Sequence, residues 1–186
     1  WPDSEMAACL AAGAHDALVP VHGPLSGGER GAHALVLGRL PLGARAMAAP
    51  PSFESCTRDV YPSDVTFSAD TIRALGRQVA GAMAQLHARG LVHGDLYAHN
   101  LLRDGDRVWL SDFGAAAFLP PAQPALHAAL RALDVRAFGV LLGEWLARTA
   151  AGDAVALGAL PALQARCLSA DTDIGFEAIA HELSNA

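Results

Sequence analysis

With 52% hydrophobic residues, the 186-residue chain can bury a core of its own, so one domain or part of one is expected. A formal net charge of -6 and the lack of any Lys or Arg cluster argue against nucleic acid or an anionic membrane surface as the main partner. The uncharged stretch Ala115 to Leu130 contains Pro120, Pro121 and Pro124 and is too short to cross a bilayer as a helix. Cys9, Cys56 and Cys167 are odd in number and widely scattered, with no pair at metal-ligand spacing, which fits packing roles in a reducing, cytoplasmic setting. The chain starts at Trp1 rather than Met, as a fragment of a longer polypeptide would, and it contains no lysine: all 13 basic residues are Arg.

In chain order, residues 3–13 read as a short Ala-rich helix, with Asp3 or Ser4 as N-cap and Gly13 as its end. Leu18-Val19-Pro20-Val21 and Ala34-Leu35-Val36-Leu37 read as two strands joined by the turn-rich stretch Gly23 to Gly31. Residues 41–66 are rich in Pro, Gly and Ser without a sustained period and read as an irregular connection. Ser68 can cap a helix in which Ile72, Leu75, Val79, Met83 and Leu86 recur every three or four residues and which ends near Gly90. Leu101-Leu102 and Val108-Trp109-Leu110 then form short strands around Arg103-Asp104-Gly105-Asp106. Helices at about 134–148, 157–168 and 174–184 complete a mostly helical region.

Three polar residues fall where this pattern makes the chain turn. Asp95 and Asn100 lie five residues apart on the loop after the Ser68 helix, and Asp112 follows at the end of a strand. Two carboxylates and an amide on adjacent turns are what phosphoryl transfer demands: a carboxylate near the attacking hydroxyl, and oxygen ligands for the hard cation Mg²⁺. Each residue has a plainer reading alone, Asp95 as a solvated carboxylate and Asn100 as a turn former. Together they are difficult to dismiss.

His93-Gly94-Asp95-Leu96-Tyr97-Ala98-His99-Asn100 resembles the catalytic loop of protein kinases, and Asp112-Phe113-Gly114 is the Asp-Phe-Gly motif unaltered. The stretch Leu133 to Leu142 looks like the start of the buried helix that anchors that loop. The resemblance implies an α+β, protein-kinase-like fold: a remnant of the β-rich N-lobe with the hinge over residues 1–40, and a mostly helical C-lobe over 41–186. It implies ATP and Mg²⁺ as cofactors. It also implies Asp95 as catalytic base, Asn100 and Asp112 as Mg²⁺ ligands, and Asp134 bonding the backbone at His93 and Gly94, although a helix N-cap is the plainer reading of Asp134. His93 and Phe113 would stack, Leu102 would lie beneath adenine, and Leu37, Gly38 and Leu40 would form its wall and the hinge. Glu5 is equally a partner for an ATP-gripping Lys or a solvated helix residue. His99 reads as a packing residue without a chemical role.

Departures from the family pattern are informative. Gly94 stands where kinases regulated by activation-loop phosphorylation carry Arg, and no Ser, Thr or Tyr lies between Gly114 and Asp134, so a phosphorylation switch in that segment is excluded. The Ala-Pro-Glu motif and the Arg that would pair with its Glu are both missing, which is tolerable because neither leaves the other unpaired. Tyr97 replaces the Lys of Ser/Thr kinases. A Gly-rich loop and a phosphate-gripping Lys are absent and are expected before Trp1 in the parent protein, so that the 186 residues alone would have little or no activity. The loop, the stretch Pro50 to Asp59 and the short segment are similar to bacterial kinases that carry leucine-rich repeats ahead of the kinase domain. The leading expectation is therefore a bacterial, cytoplasmic protein kinase acting on protein hydroxyls, Ser/Thr before Tyr. Two alternatives stand: a small-molecule kinase of the aminoglycoside or choline type, which shares His-Gly-Asp, and a pseudokinase that binds partners.

Overall fold

The structure, a computed structural model, describes residues 2–25, 34–55, 58–149, 152–169 and 173–185. Cys56 and most of the turn expected before Ala34 lie outside these residues.

Helix α1 (Pro2–Ala12) ends at Gly13, whose φ of +67° is the left-handed conformation that glycine adopts at little cost after a helix. Strands β1 (Val21–Leu25) and β2 (Ala34–Leu37) pair antiparallel. The first of these is displaced from the expected Leu18–Val21. Leu18 and Val19 instead lie beside Leu110, where Val19 N–H donates to the Leu110 carbonyl at 3.1 Å and Leu110 N–H to that of Ala17 at 2.8 Å. This parallel bridge ties the N-terminal segment to the rest of the chain. Strand β3 (Arg45–Ala46) interrupts the connection expected to be irregular, and it pairs antiparallel with Leu102 and Arg103.

Helix α2 (Ala69–Ala88) is the axis of the fold. Ser68 caps it by accepting the Thr71 N–H at 3.1 Å, and Ile72, Leu75, Val79, Met83 and Leu86 are all fully buried, as their spacing requires. Gly90, at φ +72°, turns the chain into β4 (Leu91–Val92). Beyond the loop, a 3₁₀ turn (Ala98–Asn100) leads into the hairpin of β5 (Leu101–Asp104) and β6 (Arg107–Leu110), which makes a three-stranded sheet with β3 at its edge. Strand β7 (Ala117–Phe118) returns to pair with β4.

Helix α3 (Pro124–Leu146) starts ten residues earlier than expected, at a proline suited to a first helical turn. Asp134 is thus in mid-helix and only 2% exposed, which rules out the N-cap reading. Helices α4 (Leu160–Leu168) and α5 (Phe176–Asn185) pack against α3 and α2. Phe176 meets Phe138 edge to face at 5.8 Å, closing the core between α2, α3 and α5. Among the described residues no helix is long and apolar enough to cross a membrane.

Candidate active site

The loop between β4 and the 3₁₀ turn is held mainly from outside itself. Asp134, projecting from α3, accepts the His93 N–H on Oδ2 and the Gly94 N–H on Oδ1, both at 3.0 Å. His87 Nε2, from the last turn of α2, donates to the same Oδ2 at 2.9 Å. A buried carboxylate needs this many donors to offset its lost hydration. Two helices thereby fix one end of the loop.

His93 is buried, and burial pulls its imidazole pKa below the usual value, against the opposing pull of Asp134, the Ser111 carbonyl, Asp95 and Asp112. The neutral ring serves both sides. Nε2–H donates to the Ser111 carbonyl at 3.2 Å, and Nδ1 accepts the Asp95 N–H at 3.3 Å. The ring also meets Phe113 edge to face at 5.2 Å, the stacking the motifs implied.

Asp95 and Asn100 are brought together directly. Asn100 Nδ2 donates to Asp95 Oδ2 and to the Asp95 carbonyl, each at 2.9 Å. Ser111 joins this pair to β6: its N–H and its hydroxyl donate to the Asn100 carbonyl at 3.0 and 2.8 Å. Asp112 follows at φ +59°, the one described non-glycine residue with positive φ, held by Gly114 N–H donating to its Oδ1 at 3.0 Å. Left-handed backbone at a bulkier residue than glycine is strain of the kind that concentrates at functional sites.

A cavity of about 240 Å³ opens beside Asp112. Its walls are mostly apolar and include Val21, Ala34, Leu35, Leu37 and Phe113, with Glu5 and Cys9 from α1. Burial, followed by the nearby charges of Glu5 and Asp112, pushes the Cys9 thiol up to about 11. Of the residues expected around a nucleotide, Glu5, Leu37 and Asp112 line this cavity, whereas Gly38, Leu40 and Leu102 do not. Gly38 N–H is already committed to the Pro20 carbonyl at 2.7 Å, so only its carbonyl is left for a ligand. Leu102 sits half-buried on β5 opposite Trp109.

Several residues that organise the loop are given no role by the sequence, although Arg58 and Asp59 end the Pro50 to Asp59 stretch that carries a family likeness. Arg58 donates to the carbonyls of Leu96 and Ala137, and its guanidinium lies 4.0 Å from the centroid of the Tyr97 ring. Asp59 bonds residues 98 and 99. Both are some forty residues distant in sequence, which no local period reveals. His87 and Ser111 were likewise unmarked.

Residues 52–149, more than half of the chain, match the protein kinase domain family, and the chain belongs to that family. A 64-residue stretch is 41% identical to human serine/threonine-protein kinase ULK1, covering 29% of this chain and 6% of that protein. Another of 64 residues is 41% identical to the MAP kinase kinase kinase mkh1 of Schizosaccharomyces pombe, covering 34% and 5%. A 44-residue stretch is 48% identical to the probable bifunctional tRNA threonylcarbamoyladenosine biosynthesis protein of Methanosarcina mazei, covering 24% and 8%. The chain therefore spans less than a tenth of the length of these relatives.

Proposed function

We propose that this chain forms the catalytic lobe of an ATP- and Mg²⁺-dependent protein kinase that transfers phosphate to a hydroxyl of a protein, Ser or Thr before Tyr, and is not switched by phosphorylation after its Asp-Phe-Gly motif. The observation that carries the reading is the contact between Asp95 and Asn100 on a loop clamped by Asp134. Asp95 is the base: one oxygen is held by Asn100, and the other, which takes no hydrogen bond among the described residues, can accept the proton of the acceptor hydroxyl. Asn100 Oδ1 and the second oxygen of Asp112 take no hydrogen bond among the described residues, and both are hard donors of the type Mg²⁺ prefers. Asn100 and Asp112 would hold the ion, which would supply charge neutralisation to the phosphates.

The apolar cavity beside Asp112, lined by Leu37 and Glu5, supports a nucleotide cleft; Gly38 and Leu40 as hinge and Leu102 beneath the base rest on the family resemblance alone. The sequence has no lysine, so a phosphate-gripping lysine of the family kind would have to come from outside these 186 residues. Sequence likeness to bacterial kinases that carry leucine-rich repeats supports a bacterial, cytoplasmic parent of that kind.

Gly94, the residue shared with small-molecule kinases, and the direct passage from β7 to α3 support a second reading, with an amino alcohol as acceptor. Full-length protein supplied with labelled ATP separates the readings. Label in protein, reduced roughly 100-fold or more by Asp95→Ala, supports a protein kinase. Label only in the amino alcohols of a panel supports the second reading, and ATP turnover indifferent to Asp95→Ala marks a pseudokinase.

A further inference from the structure

The 3₁₀ turn that delivers Asn100 begins without a cap of its own, because Tyr97 at its N-cap position makes no side-chain hydrogen bond to it. The missing acceptor comes from far away in sequence. Asp59 lies on the irregular chain between β3 and α2, and its side chain has no exposed surface. Oδ2 accepts the Ala98 N–H at 3.0 Å, while Oδ1 accepts the His99 N–H at 3.0 Å and His99 Nδ1–H at 2.7 Å. A fully buried carboxylate is retained only where several donors meet it, and here all three come from two consecutive residues of one turn.

Asp59 therefore complements Asp134. One carboxylate holds the loop at residues 93 and 94, the other at 98 and 99, and Asp95 and Asn100 stand just inside and just outside the gripped segments. Arg58 adds a third hold between them through the Leu96 carbonyl and the Tyr97 ring. Releasing residues 98 and 99 would free the turn to rotate and carry the Asn100 amide away from Asp95, with no group at the reacting atoms removed.

We infer that Asp59, acting with His99, is a positioning residue for Asn100: a carboxylate strap that sets the second half of the catalytic loop. The inference rests on the reading of Asp95 and Asn100 as the phosphotransfer pair. Outer residues that orient a metal ligand typically cost roughly 10- to 100-fold in activity or metal affinity when altered, and that is the expected fall in kcat for Asp59→Asn, with little change in protein-substrate KM.

The test uses the full-length protein with Mg²⁺ and ATP, and reads kcat and KM per folded molecule alongside amide hydrogen exchange at residues 97–100. Asp59→Asn should lower kcat and speed exchange of the Ala98 and His99 amides. Wild-type kcat in folded Asp59→Asn would overturn the strap. Should that variant not fold, the His99 pair decides: His99→Asn can still donate to Asp59 and should keep most of the turnover that His99→Ala loses, whereas equal turnover overturns the inference. If unaltered protein transfers no phosphate, the phosphotransferase reading falls on its own and the strap is judged by exchange. Protection at Ala98 and His99 that Asp59→Asn removes supports it, and unchanged protection refutes it.

Discussion

The carbonyl oxygen of Ala115 lies 2.7 Å from the point a Cβ on Gly94 would occupy, and Gly94 itself is at φ +77°. The chain leaving the Asp-Phe-Gly motif thus presses its backbone onto the loop at the position where kinases switched by phosphorylation carry Arg. A side chain at Gly94 faces both a strained conformation and an immovable neighbour. Left-handed backbone alone costs about 1–2 kcal/mol for a residue with a Cβ, so Gly94→Ala should destabilise the fold by at least that much. Denaturant unfolding of the variant measures it. Gly94→Arg should do no better, and phosphate placed after Gly114 should not rescue it.

Asp134 supports a larger effect. Asp134→Ala leaves the buried His93 N–H and the buried His87 ring without an acceptor, each orphan costing about 1–3 kcal/mol, and frees the more exposed Gly94 N–H at smaller cost. Asp134→Asn keeps the shape but offers a donor where one oxygen accepted. The expected order of stability is wild type, then Asn, then Ala, with Asp95-dependent turnover falling in the same order. A midpoint for Asp134→Ala equal to wild type would show that the loop is held by something else.

The part of this architecture that could be read in advance is the part that is local. The α2 face repeats every three or four residues and ends at a glycine, so both its buried residues and its limits were legible. The first ten residues of α3 were not, because Pro124 to Leu133 has no side-chain cap and its alanines mark no single face. Strands of two residues, such as β3, β4 and β7, are shorter than any period. In the site, Asp95, Asn100 and Asp112 form recognisable motifs. Asp59 and Arg58 act on the loop across about forty residues, and His99, read as packing, is the half-buried partner of the buried Asp59.

The neutral state of His93 gives the loop an acid limit. Burial sets its native pKa below the 6.5 of the free side chain, so the unfolded chain takes up a proton first as pH falls. Stability contributed by neutral His93 is complete above pH 6.5, drains as pH falls below that value, and levels off beneath the depressed native pKa. Protonation would also remove the Nδ1 acceptor of the Asp95 N–H. Subtracting the stability curve of His93→Gln from that of wild type, pH 4 to 8, should leave a difference that shrinks on acidification. A flat difference would count against the assignment.

Glu144 on α3 works in the opposite sense. It accepts the Tyr61 hydroxyl at 3.0 Å, yet burial raises its carboxyl pKa above the ordinary 4.5 despite that bond, with Asp59 adding to the rise and Arg58 and Arg148 opposing it. A raised native pKa means that the protonated form suits the fold better than the ionised one. The resulting stability is fully present below pH 4.5 and is lost as pH rises through the native value, so at neutral pH the ionised carboxylate weakens the fold relative to a neutral acceptor. Glu144→Gln keeps an oxygen for Tyr61 and sheds the charge. It should match or exceed wild type in thermal midpoint at pH 7 and lose that advantage near pH 4. Phenylalanine at position 61 supplies the cross-check: without the hydroxyl, the Tyr61→Phe background leaves Glu144 no donor from residue 61, and the gain from Gln at pH 7 should grow.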